Sequence, residues 1–213
     1  MIDFAIVEHP LASAYLTTLR DKNTKDRLFK STLDKLSYIL ASFAYSNLRT
    51  KKVNIKTPLE ATKGEVINEE VVIMPILRAG LGLLNGFLNI YPDAMVSHVG
   101  IYRNEATLEP VKYYFKFPKL KNKKSAKIYM IDPMIATGGS SIAALNLLKD
   151  KGIKEVTLVS IITAPEGLDS LKKHFPDKTF NVKVYSLAID RKLNTSGYIL
   201  PGLGDAGDRY FGT

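Results

Sequence analysis

The sequence predicts an α/β fold: a mostly parallel, twisted sheet flanked by helices. Three observations predict it. Short β-rich runs recur at residues 71–75, 94–101, 127–131, 156–162 and 182–188. They are almost continuously apolar, which suits strands buried on both faces. Helical patterns separate them, and strands alternating with helices build parallel sheets.

Taken in order, Pro10 opens a short helical pattern that runs to Leu19, and residues 21–25 form a polar break. Residues 28–48 place Leu33, Leu36, Leu40, Phe43 and Ala44 at helical spacing, with Asn23 or Thr24 available as a cap. The N-terminal third is therefore expected to be helical. Further on, residues 142–148 read as a helix that stops at Gly152, and the segment after Pro165 stops before Pro176. Residues 99–117 break the alternation, because Tyr102, Tyr113, Tyr114 and Phe115 flank a polar turn; they predict a projecting β-arm. No repeat, low-complexity stretch or linker divides the chain. The expectation is one domain over 1–213, with N-terminal helices at about 10–48, the arm at about 99–117 and a distinct C-terminal segment at about 197–213.

Composition narrows the chemistry. The 213 residues are 46% hydrophobic, enough for one sizeable core. There is no cysteine, which excludes disulfides, thiolate zinc sites and cysteine nucleophiles. The first ten residues carry Asp3 and Glu8 where a signal peptide needs basic and then apolar residues, and no segment is apolar for long enough to span a bilayer. A soluble, cytoplasmic protein is expected. The net charge of +9 points to anionic partners without choosing among them. The densest basic stretch, Lys119, Lys121, Lys123, Lys124 and Lys127, reads as a solvated loop before a strand, since no aromatics interleave it. Neither a nucleic acid nor a membrane partner is expected.

Four segments carry chemistry. Residues 128–141, IYMIDPMIATGGSS, run from an apolar strand through an acid into a hydroxyl-rich loop that opens a helix. Ligands gather at the carboxyl ends of parallel strands, so Asp132 is placed at the rim of a site. Gly138 and Gly139 let backbone amides approach an anion, while Thr137, Ser140 and Ser141 add hydroxyl donors at a positive helix end. The segment reads as a phosphate cradle or, more plainly, as a glycine-rich turn; without a following Gly-Lys-Ser/Thr it is not a Walker loop.

Residues 71–84, VVIMPILRAGLGLL, carry an apolar strand into Arg78, which serves either an anionic ligand or a core carboxylate. In the arm, Arg103 reads by itself as a surface arginine. At the C-terminus, GYILPGLGDAGDRYFGT formally matches G-x-G-x-x-G at Gly202, Gly204 and Gly207. Six residues follow Gly207, so neither the helix nor the strand of a dinucleotide unit is expected. Exposed glycine backbone suits a flat polar ligand instead, and Ile199, Leu200, Leu203, Tyr210 and Phe211 are too apolar for a solvated tail. His9, His98 and His174 share no ligand or triad spacing.

With these motifs in hand, the chain resembles the type I phosphoribosyltransferases and, through DPMIATGGS, PILRAGLG, YRNEATLEPV and GYILPGLGDAG, their uracil phosphoribosyltransferase family. The four motifs occur in the family's order, and the resemblance runs from His9 through almost the whole chain. It implies that fold, with the β-arm and a C-terminal hood over the base, and transfer of the phosphoribosyl group of phosphoribosyl pyrophosphate (PRPP) to N1 of uracil, giving UMP and diphosphate.

The resemblance also implies site residues. PRPP is expected on Arg78, Arg103, Asp132, Pro133, Met134, Ile135, Ala136, Thr137, Gly138, Gly139, Ser140 and Asp205, and uracil on Ile199, Gly204, Asp205 and Ala206. Catalytic roles fall to Arg78, Arg103, Asp132 and Asp205. Magnesium is expected to arrive on PRPP, near Asp205, without direct side-chain ligation. The wider pattern has two adjacent acids where this chain has Asp132 and Pro133, leaving a single carboxylate for the ribose hydroxyls. The resemblance further implies a homo-oligomer, dimer or tetramer, and a GTP effector, with no residues attached to either.

Overall fold

A computed structural model of the chain describes residues 1–103, 110–176 and 178–213. It opens with β1 (Ile2–Ile6), α1 (Pro10–Arg20), α2 (Asp26–Tyr45) and the strands β2 (Thr50–Lys56) and β3 (Ala61–Ile67). The central part holds β4 (Val71–Leu77), α3 (Leu81–Ile90), β5 (Met95–Val96), β6 (Val99–Arg103), β7 (Pro110–Phe115), β8 (Lys127–Ile131), β9 (Met134–Ile135) and α4 (Gly139–Asp150). Then come β10 (Glu155–Val159), β11 (Ile162–Thr163), α5 (Pro165–His174), β12 (Asn181–Ser186), β13 (Ala188–Ile189), β14 (Lys192–Leu193), β15 (Ile199–Leu200) and α6 (Ala206–Phe211).

Eight strands form the main sheet in the order β1-β12-β10-β8-β4-β6-β7, with β5 joined to β4. Its pairings are parallel except β6 with β7. The apolar runs are explained by burial on both faces. On β4, Val71 and Ile73 enter the core shared with α1, α2 and α3, while Val72, Met74 and Ile76 enter the core shared with α4 and α5. On α2, Phe29, Leu33, Leu36 and Leu40 form one buried stripe at helical spacing. Each such side chain stabilises the fold by about 1.5–3 kcal/mol relative to exposure.

The N-terminal third is less helical than expected. β1 is an edge strand parallel to β12, and β2 and β3 pair from Thr50↔Ile67 to Lys56↔Ala61 as a separate two-stranded sheet. This hairpin is mostly exposed on both faces and rich in lysine, so it carries no apolar alternation. Helix α3 has no counterpart among the sequence expectations; Gly82 and Gly86 within it weaken a helical pattern. A Cβ on Gly86 would lie 2.0 Å from Ser37 Oγ and 2.5 Å from the Ser37 carbonyl carbon, so the glycine exists to let α3 lie close against α2.

The expected caps are absent as well. Lys25 is the N-cap residue of α2, with no side-chain bond. Asn23 turns its amide to Asp21 Oδ1 at 3.0 Å and Thr24 donates its hydroxyl to the Thr18 carbonyl at 2.6 Å, so both serve the α1–α2 turn.

The runs at 94–101, 156–162 and 182–188 each divide into two strands. β11 and β13 leave the main sheet and join β9 in a three-stranded sheet, β13-β11-β9. Where they part, the fully buried hydroxyls of Ser160, Thr163 and Ser186 bond one another at 2.9–3.1 Å, satisfying polar groups at the break.

The expected arm is present as the antiparallel β6–β7 pair, rooted in the main sheet by Ile76↔Val99 and Leu77↔Gly100. Its residues 104–109 lie outside the described residues. Lys119, Lys121, Lys123 and Lys124 are solvent-exposed as expected, whereas Lys127 is half-buried, with Nζ 3.2 Å from Glu155 and 3.9 Å from Glu69. Among the described residues no helix is long and apolar enough to cross a membrane.

Candidate active site

The parallel strands β8 and β4 end at the same edge of the sheet, and their loops meet there. β8 delivers Asp132, which lines a concavity of about 150 Å³ together with residues 134–141. Gly138 is in the left-handed region at φ 84° and is the N-cap residue of α4, a conformation that costs glycine little. Helix α4 thus presents its first amides and the positive end of its dipole to the concavity. Thr137 is exposed and Ser140 half-exposed; Ser141 is buried. Pro133 and Ile135 are buried; the Pro133 carbonyl accepts the Ile161 and Ile162 amides at 2.9 and 3.2 Å and that of Ile135 the Ala164 amide at 2.8 Å, so Pro133, which has no N–H and does not line the concavity, only shapes the loop.

Electrostatics single out Asp132. Desolvation pushes its carboxyl up, the Asp205 carboxylate pushes it further and a bond from the Met134 amide opposes both; the balance lies at about 7 against the usual 3.8. Part of the side chain stays accessible from the concavity. Asp132 is thus a half-buried acid poised to ionise when cationic or hydroxyl partners arrive.

The second loop leaves β4 through a cis peptide between Leu77 and Arg78. A Cβ on Gly80 would lie 2.5 Å from the Ile131 carbonyl, so this turn lies directly on the end of β8, beside Asp132. The Arg78 side chain is 58% exposed, its Nη2 is 3.6 Å from Asp208 Oδ1, and its guanidinium stands 5.7 Å from the Phe211 ring. Among the described residues Arg78 pairs with no core carboxylate. Its pairing with the exposed Asp208 is weak, leaving the fork available to an anion. The backbone of Arg103 closes β6, opposite Pro110. Its side chain, and with it the expected contact with PRPP, lies outside the described residues.

The third contributor is the C-terminal segment. β15 pairs with β14 and buries Ile199. Gly204 is exposed at φ 81°, Asp205 accepts the Asp208 amide at 2.9 Å as the N-cap of α6, and Ala206 is buried. A short helix, α6, of six residues begins within the glycine-rich run at Ala206. The glycines follow β15, which pairs antiparallel with β14 outside the main parallel sheet, so they do not open a dinucleotide unit. Phe211 is also more exposed than expected, since it lies beside Arg78 instead of in the core. The influence of Asp205 on Asp132, and the approach of an added Gly207 Cβ to within 3.9 Å of Ala79 Cβ, tie this segment to both other loops.

Of the two residues beside Arg78, Asp208 carries no signal in the sequence beyond proximity to the glycine-rich run, and Phe211 is marked there only as an apolar residue of the C-terminal segment. None of the three histidines lines the concavity, and His174 bonds Asn146 at 3.0 Å.

Comparison with known proteins agrees with this geometry. The profile of the family described as uracil phosphoribosyltransferase matches residues 6–213. The uracil phosphoribosyltransferase of Dictyoglomus turgidum is 49% identical over 209 residues, 98% of each chain, and that of Polaromonas naphthalenivorans is 44% identical over the full length of both. The solved structure of a protein from Aquifex aeolicus superposes with a TM-score of 0.89 at 36% identity, covering 98% of this chain and 97% of that one. At 12% identity, an adenine phosphoribosyltransferase from Trypanosoma brucei shares the fold, with a TM-score of 0.55 over 86% of this chain and 83% of its own. The chain belongs to the uracil phosphoribosyltransferase family.

Proposed function

We propose that the protein transfers the 5-phosphoribosyl group of PRPP to N1 of uracil, releasing UMP and diphosphate. The observation that carries this reading is the convergence of an amide-lined cradle, Asp132, Arg78 and the glycine-rich C-terminal segment at one edge of a parallel sheet, in a chain of this family. The 5′-phosphate sits on residues 136–140, with Met134 and Ile135 lining the same concavity and Pro133 holding the loop behind them. Asp132 takes the ribose hydroxyls. Arg78 and Arg103 take the diphosphate. Uracil lies against Ile199, Gly204, Asp205 and Ala206, where the backbone N–H and C=O groups can pair with its alternating carbonyl and N–H edge.

Departure of diphosphate builds positive charge at the ribosyl carbon and negative charge on the leaving group. The useful groups are those already aimed at these charges. The two arginines stabilise the leaving group, and the Asp132 carboxylate stands on the ribose side.

Magnesium suits this donor set. Among the described residues no three acids or histidines form a metal cage, but Asp132 and Asp205 are hard oxygen donors close enough to interact. A magnesium ion bound mainly through diphosphate oxygens and water would neutralise leaving-group charge there, with Asp205 beside it. The same proposal includes a homo-oligomer, dimer or tetramer, acting in the cytoplasm with GTP as an effector. Light scattering tests the oligomer, and UMP formation with and without GTP tests the effector.

The test of the reaction mixes purified protein with PRPP, magnesium and, separately, uracil, cytosine, orotate and hypoxanthine. UMP and diphosphate from uracil alone are expected. Turnover with another base in place of uracil, or with none, would overturn the assignment.

A further inference from the structure

The glycine-rich segment before α6 is short of side chains that could fix it. Gly202 and Gly204 both have positive φ, at 65° and 81°, and glycine loses more conformational freedom on ordering than any other residue. A base pocket made of backbone therefore needs anchors from elsewhere. Two arginines supply them.

Arg20, the last residue of α1, forms a fork with Asp190, Nη1 to Oδ2 at 2.8 Å and Nη2 to Oδ1 at 2.5 Å. The same Nη1 donates to the Gly202 carbonyl at 2.8 Å, and the Gly202 amide donates to Asp190 Oδ2 at 2.9 Å. Both polar groups of residue 202 are thus held by one ion pair whose carboxylate is 3% exposed. Arg209, on α6, donates to the carbonyls of Leu203, Leu19, Asp21 and Thr24, and its guanidinium lies 4.3 Å from the Phe29 ring. The segment is fastened on both sides to the α1–α2 junction.

We propose that Arg20 and Asp190 are positioning residues for uracil: their clamp on Gly202 sets where Gly204, Asp205 and Ala206 present their backbone to the base. This rests on the reading of that segment as the uracil pocket. The clamp touches neither the cradle nor Arg78, so its loss acts chiefly on the base and reaches PRPP only through Asp205 and the magnesium beside it. Lysine at position 20 keeps the charge but loses the planar fork, and cannot hold Asp190 bidentately while donating to Gly202. Asparagine at 190 keeps an acceptor for the Gly202 amide but turns a donor or a neutral oxygen towards Arg20.

The test uses the full chain with Arg20→Lys, Asp190→Asn, the double variant and Gly204→Val. The KM for uracil is expected to rise roughly tenfold in each clamp variant, the scale on which small misplacements of a binding group act. The dissociation constant for PRPP should stay within about twofold, because no cradle residue is touched and Asp205 meets PRPP only through its magnesium. The double variant should resemble the worse single variant, as two members of one network do.

An unchanged uracil KM in the clamp variants, beside a raised one in Gly204→Val, overturns the clamp and leaves the pocket standing. No change in Gly204→Val either overturns the pocket reading and the clamp with it. Equal losses for uracil and PRPP, with a lowered melting temperature, reduce the clamp to a structural role and also overturn the proposal.

Discussion

At the scale of single residues, Asp132 has the most to report, because its carboxyl sits at about 7 where solvent would leave it near 3.8. The sign follows from linkage. A carboxyl raised in the folded state favours its protonated form there, so its stabilising contribution is present below pH 3.8 and is lost as pH rises through about 7. Asp132→Asn should therefore raise the melting temperature more at pH 8 than at pH 4. Ribose hydroxyls and magnesium favour the ionised form, so PRPP binding should release a proton near neutral pH and tighten as pH rises from 6 to 8. Titration calorimetry in two buffers of different ionisation enthalpy measures that proton. Equal release by wild type and Asp132→Asn would show that it comes from PRPP and not from the protein.

Arg78 makes a complementary case. Its partner Asp208 is exposed, so Arg78→Ala should barely change stability. Turnover should nevertheless fall by roughly 10²–10³, the scale for one preorganised group stabilising developing charge. Steady-state rates at saturating PRPP and uracil check this, and a change under threefold would remove Arg78 from the chemistry. Both residues were legible in the sequence because each is a charge at the end of an apolar strand, where burial has to be explained by a ligand. Asp208, Arg20 and Asp190 were not, since their partners lie far away in sequence and no local pattern announces a pairing across 130 residues, as between Arg78 and Asp208, or 170, as between Arg20 and Asp190.

At the scale of elements, the same contrast separates what sequence pattern finds from what only packing explains. The strand Lys127–Ile131 was read to the residue, because a strand buried on both faces writes an unbroken apolar run. The β2–β3 hairpin writes none, being wet on both faces, and α3 writes a pattern weakened by glycines that serve helix contact. Helix α5 shows the functional side of such contact. A Cβ on Gly167 would lie 2.4 Å from the Ala136 carbonyl, in the cradle loop itself.

Helix α5 is therefore the back wall of the cradle, and Gly167→Ala must push the two apart. The expected result is weaker PRPP binding by roughly tenfold or more, with little change in uracil KM at saturating PRPP, since displacements of about 1 Å can cost a hundredfold. Far-UV circular dichroism should stay unchanged while the melting temperature falls, as with other overpacked sites. Normal PRPP affinity in this variant would mean that the loop yields without distorting the cradle, and the wall would have no functional part.

At the scale of the whole molecule, the net charge of +9 acts on the two substrates very differently. PRPP is strongly anionic and uracil is neutral at pH 7. A positive field collects anions and speeds their encounter, and it is screened within a Debye length of about 8 Å at physiological salt. The exposed lysines at 119, 121, 123 and 124 line no part of the cradle, so they belong to this diffuse field and not to the bound state. Raising the salt from 0.05 to 0.5 M should then lower kcat/KM for PRPP several-fold, chiefly through association, while kcat/KM for uracil at saturating PRPP stays nearly constant. Replacing those four lysines by glutamine should flatten the salt dependence for PRPP and leave kcat unaltered. If both substrates responded to salt alike, the effect would lie in the protein's conformation or assembly. If neither responded, the attraction of PRPP would be confined to the short-range amides and arginines of the site, and the excess positive charge would have no part in catalysis.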